Sequence, residues 1–396
     1  MDMNYKTYTM EDALDAIIDY RGKTPKKSES GIPTLSAKTV RNNFIDYNNC
    51  YYISEEEYKR FMVRGFPKVG DILLTTEAPL GMTAKLNRAD VALAQRLLTL
   101  RGKTDILDND YLLYFLQSPK GQHLLKSHET GTTVTGIKQA VFRKLEISIP
   151  SITIQKQIAI ILSSIDEKIS VNTKINENLE QQAQAYFVDL FITNADPNWK
   201  MGTVSDFGNV IGGGTPSKKV EEYYTSNGIA WITPKDLSND KSKFVAHGET
   251  DITELGLAKS SATLMPKGTV LFSSRAPIGY IAIADDQVST NQGFKSIVPF
   301  SNVGNAFVYY YLKENLSAIE NVASGSTFKE VSGSTLKNFS AVIPDNETLT
   351  EFQRFCSPLF EQQRALEYEN RYLATLRDTL LPKLMNGEID VSQVQI

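Results

Sequence analysis

The sequence predicts an α+β protein made of two tandem mixed α/β domains. Each domain is followed by a long helix, and the two helices pair as an antiparallel coiled coil related by a pseudo-twofold repeat. Two observations carry this. First, apolar or seam-type residues between Thr153 and Phe191 fall at Ile158, Leu162, Ile165, Ile169, Asn172, Asn176, Leu179, Ala183, Tyr186 and Leu190, in alternating steps of four and three. That is the heptad seam of an amphipathic helix. Second, the stretch has a copy at Thr350 to about Leu384. An offset of 197 carries Leu162 to Leu359, Ile169 to Leu366, Leu179 to Leu376 and Ala183 to Leu380. The copied seam runs Leu359, Gln362, Leu366, Glu369, Leu373, Leu376 and Leu380.

Composition sets the bounds. A chain of 396 residues is long enough for two cores, and 41% hydrophobic with 22% charged residues is ordinary for a soluble globular protein. The N-terminus has Asp2, Glu11 and Asp12 where a secretory signal would be basic and then apolar. No apolar run approaches the length of a membrane span, so the expected compartment is the cytoplasm. Cys50 and Cys356 lie in different repeats and read as two reduced thiols. His123, His128 and His247 make no ligand pattern, so no metal is expected. The net charge of -4 means that a nucleic-acid binder would have to gather its cations on one face or share the task with partners.

In chain order, residues 1–150 form the first domain. Strand-like runs at Ile32–Ser36, Asp71–Thr76, Thr83–Leu86, Leu97–Leu100 and Leu145–Ile149 are separated by Gly and Pro, with a helix around Asp110–Gln117. Residues 151–193 form the first long helix, roughly 55 Å at 1.5 Å per residue. Residues 194–346 form the second domain, opened by the Asp196-Pro197 breaker and Trp199. Residues 347–396 form the second long helix and a tail. Thr348 and Glu351 suggest a capping box at its start; Pro382 kinks or ends it, and Gly387 follows.

The two domains match motif by motif. Gly22-Lys-Thr24-Pro25 matches Gly213-Gly-Thr215-Pro216, and Gly31-Ile32-Pro33 matches Gly228-Ile229-Ala230. Pro67-Lys-Val-Gly70 matches Pro266-Lys-Gly268, and Ala78-Pro79-Leu-Gly81 matches Ala276-Pro277-Ile-Gly279. Tyr111 to Tyr114 matches Phe307 to Tyr310, Gly131-Thr-Thr133 matches Gly325-Ser-Thr327, and Ile149-Pro150 matches Ile343-Pro344. A framework held twice with different residues between suggests two related but distinct recognition surfaces.

The helices should then hold a domain at each end of a rod of about 50 Å, with the C-terminus returning beside the first domain. Asn172 and Asn176 would face Gln362 and Glu369 near the middle. Polar seam residues lower stability but pin register.

Catalytic patterns are missing. Gly212 to Lys218 lacks Walker spacing and reads as a tight turn, and no GxGxxG, GxSxG or HExxH occurs. The chain reads as non-enzymatic. The candidates for binding are basic and polar loop residues. Lys23, Lys26 and Lys27 follow the first Gly-x-Thr-Pro region, and Lys218 and Lys219 the second. Lys38 and Arg41 follow the Ile-Pro-Thr-Leu strand, with Lys235 in the same place in repeat two. Arg275 stands where repeat one has Glu77; arginine can bond guanine and a carboxylate can accept from cytosine, so the exchange would alter base preference. Gln95 and Gln292 are equivalent and can read adenine or cap a turn. Ser36, Thr76, Thr132, Thr133, Ser326 and Thr327 add hydroxyls for phosphate or base. For each of these, an ordinary surface residue is the plainer reading.

These duplicated motifs, each followed by a long helix, resemble the specificity subunit of type I restriction-modification systems over essentially the whole chain. The resemblance implies that the two domains are target recognition domains, each reading one half of a bipartite, asymmetric site in double-stranded DNA. It implies that the coiled coil sets the unread gap and docks partners. The expected partners are two methyltransferase subunits and motor-nuclease subunits. S-adenosylmethionine, Mg and ATP are expected on those partners, and no cofactor on this chain. A different reading is a coiled-coil scaffold with two ligand- or protein-binding domains and no DNA role. The basic loops favour the first reading and the acidic total the second. A fused methyltransferase is disfavoured by the missing cofactor motifs.

Overall fold

The computed structural model describes residues 5–131, 135–325 and 329–394. It divides into two units, Met1–Ile169 with Tyr372–Ile396, and Ser170–Arg371. Each unit therefore holds one domain together with a stretch of both long helices.

In the first unit, four antiparallel strands run in the order Leu14–Asp19, Leu97–Gly102, Ile72–Thr76, Leu80–Lys85. All five residues of Ile72–Thr76 are buried, as expected of an apolar run in a central strand. A smaller sheet joins Tyr51–Ile53, Ile32–Leu35 and Ala92–Leu93, and Lys6–Thr9 pairs with Glu146–Ile149. The helix Asn109–Gln117 starts on Asp108, whose carboxylate accepts the N–H groups of Asp110 and Tyr111. Six of its nine residues are buried, since it packs with the sheet on one side and the long helices on the other. Ile158, Ala159 and Leu162 of the first long helix share this core with Leu381, Leu384, Met385 and Val391 near the C-terminus. The Gln157 amide donates to the carbonyls of Ser392 and Val394. The chain's end thus returns onto the first domain.

In the second unit, the larger sheet runs Gly208–Gly212, Lys295–Pro299, Val270–Ser274, Ile278–Ala284, Phe244–Val245. A second sheet runs Tyr224–Thr225, Asp251–Ile252, Ile229–Ile232, Ser289–Thr290. The helix Asn305–Glu314 takes the place of Asn109–Gln117, and Lys200–Thr203 pairs with Ser340–Ile343. The core is strongly aromatic. Phe187 and Phe191 of the long helix meet Phe307 and Phe352 at centroid distances of 4.9 to 5.7 Å.

The long helices span Ile152–Val188, extended by a π-helical turn Asp189–Thr193, and Asn346–Met385. Several details depart from the sequence reading. The second helix starts before Thr348: the cap is Asp345, which accepts from the Thr348 N–H at 2.9 Å, while Glu351 accepts from the Tyr186 hydroxyl. Pro382 lies inside the helix rather than ending it. The stop is Gly387 at φ 73, where Glu388 N–H bonds the Lys383 carbonyl and Gly387 N–H that of Leu384. At the end of the first helix Phe187 is the buried residue, with Tyr186 and Leu190 only partly buried beside it. Gln362 is exposed, and its neighbour Gln363 is buried. The registers of apolar residues in the copied helix are consistent with either face, because Phe352, Cys356, Phe360 and Gln363 form a second stripe that the domain core selects.

Within the second unit the helices run antiparallel. Asn172 donates to Glu369 at 2.7 Å and to Asn370 at 2.9 Å, Gln363 donates to the Asn176 carbonyl at 3.1 Å, and Tyr186 meets Glu351. Asn172 is fully buried, and its own side-chain carbonyl has no partner. Such an orphan costs about 1–3 kcal/mol, the expense of a polar residue that defines register. Cys356 is a buried free thiol pushed up to about 12 by burial, and Cys50 is a free thiol half-buried in the first unit. Among the described residues no helix is long and apolar enough to cross a membrane.

A buried polar cluster of the second unit centres on Lys243, 6% exposed, ion-paired to Glu180 and bonded to Gln363 at 2.7 Å and Tyr310 at 3.1 Å. Burial works to raise the Glu180 carboxyl, but Lys243 and then Lys313 outweigh it and hold it at about 2. The ordinary glutamate value in an unfolded chain is about 4.3. The ionised Glu180 carboxylate therefore contributes stability that is fully present above that value and is lost as pH falls from there towards 2, against the cost of burying Lys243, whose own value desolvation pushes down. Glu180→Leu is expected to destabilise the second unit by roughly 3–5 kcal/mol, because Lys243 stays buried without its carboxylate. Glu180→Gln should flatten the fall in melting temperature between pH 5 and pH 3 that the parent chain shows, as read by circular dichroism.

Candidate nucleic-acid interface

The matched loops converge in each domain. In the first, Gln95 donates its amide to the Thr24 hydroxyl, so the Gly-x-Thr-Pro turn is tied to the loop before Leu97–Gly102. Arg21 donates to the Thr76 hydroxyl and to the Ile137 carbonyl, both at 3.2 Å. Glu77 pairs with Arg96 at 2.8 Å and bridges Gly136 across the backbone. Lys23, Lys26 and Lys27 are exposed beside this group, and Lys27 lies 4.8 Å over the Tyr51 ring. The backbone N–H of Lys26 bonds Glu57 at 2.9 Å, which ties the lysine loop to the helix Glu55–Phe61.

In the second domain, Thr215 donates to Gln292, the counterpart of the Thr24–Gln95 contact. Arg275 pairs with Glu330 at 3.4 Å and bridges it across the backbone. Lys295 approaches the same carboxylate at 3.5 Å. A cavity of about 500 Å³ opens here, lined by Lys218, Lys235, Arg275, Gln292 and Asn291. Trp231 closes its back, with its indole N–H on the Gly214 carbonyl at 2.9 Å. Lys235 sits in the first turn of the helix Pro234–Asn239 and pairs with Glu249.

The domains share one backbone arrangement and exchange its charges. Both carry a cis Ala-Pro bond, Ala78-Pro79 and Ala276-Pro277, with the alanine at positive φ. At the residue before it stands an acid in one domain, Glu77, and a base in the other, Arg275. After the clamping glutamine stands Arg96 in one and Gly293 in the other. Across the bridge stands Gly136 in one and Glu330 in the other. A charge of opposite sign answers each change.

The structure thus brings together Glu77 and Gln95 in the first domain, and Lys218, Lys235, Arg275 and Gln292 in the second. Lys219 is exposed next to Lys218. Lys38 and Arg41 are exposed in a separate turn, where Arg41 donates to the Val40 carbonyl at 2.8 Å. Thr132, Thr133, Ser326 and Thr327 lie outside the described residues. Ser36 bonds within its own turn, where it receives Thr39. Each glutamine bonds the threonine of its Gly-x-Thr-Pro turn, a contact that a turn clamp would make. Sequence reasoning missed Arg21, Arg96, Lys295 and Glu330. Only Arg96 carried a local signal, since it follows the matched glutamine.

A family model described as the type I restriction modification DNA specificity domain matches residues 4–181 and again 197–370. The chain belongs to this family. The model matches twice in tandem, as a duplicated chain requires. The chain is 37% identical over 206 residues to the specificity subunit of the type I restriction enzyme MjaIX of Methanocaldococcus jannaschii. That alignment covers 52% of this chain and 47% of the relative, so the chain matches about half of that relative's length. It is 22% identical over 415 residues to the putative MjaX specificity subunit of the same organism, covering 98% and 94% of the two chains. The crystal structure of a type I restriction-modification system S subunit from M. genitalium superposes with a TM-score of 0.63 at 16% identity, over 97% of this chain and 96% of that one. The specificity-domain fold is therefore shared along the whole chain.

If the glutamines are clamps, removing them affects folding first. Gln95→Ala and Gln292→Ala should each cost roughly 0.5–1.5 kcal/mol of stability, the worth of one hydrogen bond, in thermal melts. An unchanged melt would return both side chains to the role of free base readers.

Proposed function

We propose that this chain is the DNA sequence-reading subunit of a type I restriction-modification complex, each domain reading one half of a bipartite asymmetric site. The observation that carries the proposal is the exchange of charges on one duplicated backbone arrangement: Glu77 with Arg96 in one domain, Arg275 with Glu330 in the other. A pair of this kind offers a donor fork and an acceptor whose order differs between the two surfaces. Donor and acceptor order is what distinguishes base pairs in the major groove. Lys23, Lys26, Lys27, Lys38, Arg41, Lys218, Lys219 and Lys235 supply phosphate contacts, and so do the hydroxyls of Thr132, Thr133, Ser326 and Thr327. The long helices set the number of unread base pairs and dock two methyltransferase subunits, with motor-nuclease subunits joining the assembly. The chain itself is non-catalytic. S-adenosylmethionine, Mg and ATP are used by the partners, and the assembly works in the cytoplasm, where its DNA is.

The deciding experiment is binding of the purified complex to double-stranded DNA over a range of salt. A steep fall in affinity with salt is expected, and a flat response would leave only the scaffold reading. Arg96→Ala should relax specificity by about 1–3 kcal/mol at positions in one half of the target and leave the other half intact. Arg275→Ala should do the converse, as read by mapping methylated sites. Changes in both halves from either substitution would refute independent reading. Lys218→Ala should weaken binding evenly across sequences and reduce the salt slope by about 0.9.

A further inference from the structure

Each domain is seated on the long helices by four positions that correspond between the repeats. In the first unit Asp166 accepts the Tyr114 hydroxyl at 2.7 Å, the Asn43 amide at 2.9 Å and the Arg377 guanidinium at 2.8 Å. In the second unit Tyr310 corresponds to Tyr114, and Lys243, which precedes the strand Phe244–Val245, corresponds to Asn43, which precedes Phe44–Ile45. The offset of 197 carries Asp166 to Gln363 and Glu180 to Arg377. These residues also close on each other. Lys243 bonds Gln363 at 2.7 Å, Tyr310 donates to Glu180 at 2.9 Å, and Glu180 pairs with Lys243 and, at 2.6 Å, with Lys313. Corresponding positions meet in both seats, but the tyrosine ends on Asp166 in one and on Glu180, the counterpart of Arg377, in the other, and the charges differ.

We infer that these seat charges select pairing between unlike repeats and reject pairing of either repeat with a second copy of itself. The reasoning is a substitution of equivalent positions. If the first repeat paired with another first repeat, Glu180 would stand where Arg377 stands now. It would face Asp166, carboxylate against carboxylate, without Lys243 or Lys313. If the second repeat paired with another second repeat, Arg377 would stand where Glu180 stands now. It would join Lys243 and Lys313, three cations beside Glu367, whose carboxylate is already held by the Lys243 and Phe244 backbone N–H groups. The middle of the seam adds a third discriminating position. Asn172 bonds Glu369, its own counterpart at the offset of 197. A pair of second repeats would put two Glu369 carboxylates together. All three positions therefore favour the unlike pair, and the two seats each penalise a like pair. Covalent linkage already favours pairing within one chain, at an effective concentration on the order of millimolar, but does not forbid exchange between chains. The charges forbid the exchanges that pair like repeats. Their consequence for DNA rests on the reading proposed above: a like pair would present two identical half-site readers, so the code keeps the target asymmetric.

The test uses the full chain and oligomeric state, so it stands or falls apart from DNA binding. Glu180→Arg with Arg377→Glu exchanges the two helix charges. It makes both unlike seats repulsive and both like seats attractive. Glu180→Asp with Arg377→Lys alters the same two side chains but keeps every charge sign where it stands. Sedimentation from about 1 μM to about 1 mM, across the range of the tether's effective concentration, reads the outcome. The parent and the Glu180→Asp/Arg377→Lys chain are expected to sediment as monomers. The Glu180→Arg/Arg377→Glu chain is expected to form dimers or longer assemblies with a cooperative melt. The inference is overturned if that chain stays monomeric, if it loses its cooperative melt without assembling, or if both double variants change mass alike.

Discussion

The structure of each unit depends on a tyrosine hydroxyl presented to a charged cluster on the long helices. Tyr114 and Tyr310 belong to the helices Asn109–Gln117 and Asn305–Glu314, which share a core with the sheets and with the long helices. Their hydroxyls end on Asp166 and Glu180. A buried tyrosine has an apolar body for the core and one polar tip that must be satisfied. That tip fixes where the domain can sit along the helix, because a shift of one turn would leave both the hydroxyl and the carboxylate unpaired. In the second unit the buried ammonium of Lys243 lies 4.2 Å over the Phe360 ring and 4.9 Å over Tyr309. The aromatic faces compensate part of its lost hydration, while Glu180 and Gln363 accept its hydrogen bonds.

The seats and the exposed loops differ in what a substitution does. The seats are polar and closed on themselves, half-buried around Asp166 and more deeply buried around Lys243, so a substitution there is felt as lost folding energy. The loops are exposed and built on turns with a common backbone, where the Gln95–Thr24 and Gln292–Thr215 contacts hold them. Residues such as Arg96 and Arg275 can then change sign without disturbing the sheet, provided a neighbour answers the charge, as Glu77 and Glu330 do. This is why two domains with one fold can present different chemistry.

Much of this was legible in the primary structure. The repeat, the heptad seam of the first helix and the principal strands follow from periodicity and from glycine and proline placement, which act locally. Local signals also located the loops that meet at each candidate site. The sequence reading erred where two local signals competed. Thr348 with Glu351 and Asp345 both offer a helix cap, and only the position of Trp199, whose indole bonds Asp345 at 2.9 Å, decides for the latter. Pro382 sits within a helix that the core around Leu381 and Leu384 continues to hold.

The sequence by itself determined that the chain is two copies of a domain and helix, because duplication and periodicity are properties of order along the chain. Tertiary structure alone decided which face of the second helix is buried. Its residues offer two stripes, and the aromatic core of the second unit takes the one with Phe352, Cys356, Phe360 and Gln363, leaving Gln362 in solvent. It also decided which charges are partners. Asp166 with Arg377 and Glu180 with Lys243 are far apart in sequence and make no pattern there, since an ion pair is set by distance in space and by exclusion of water.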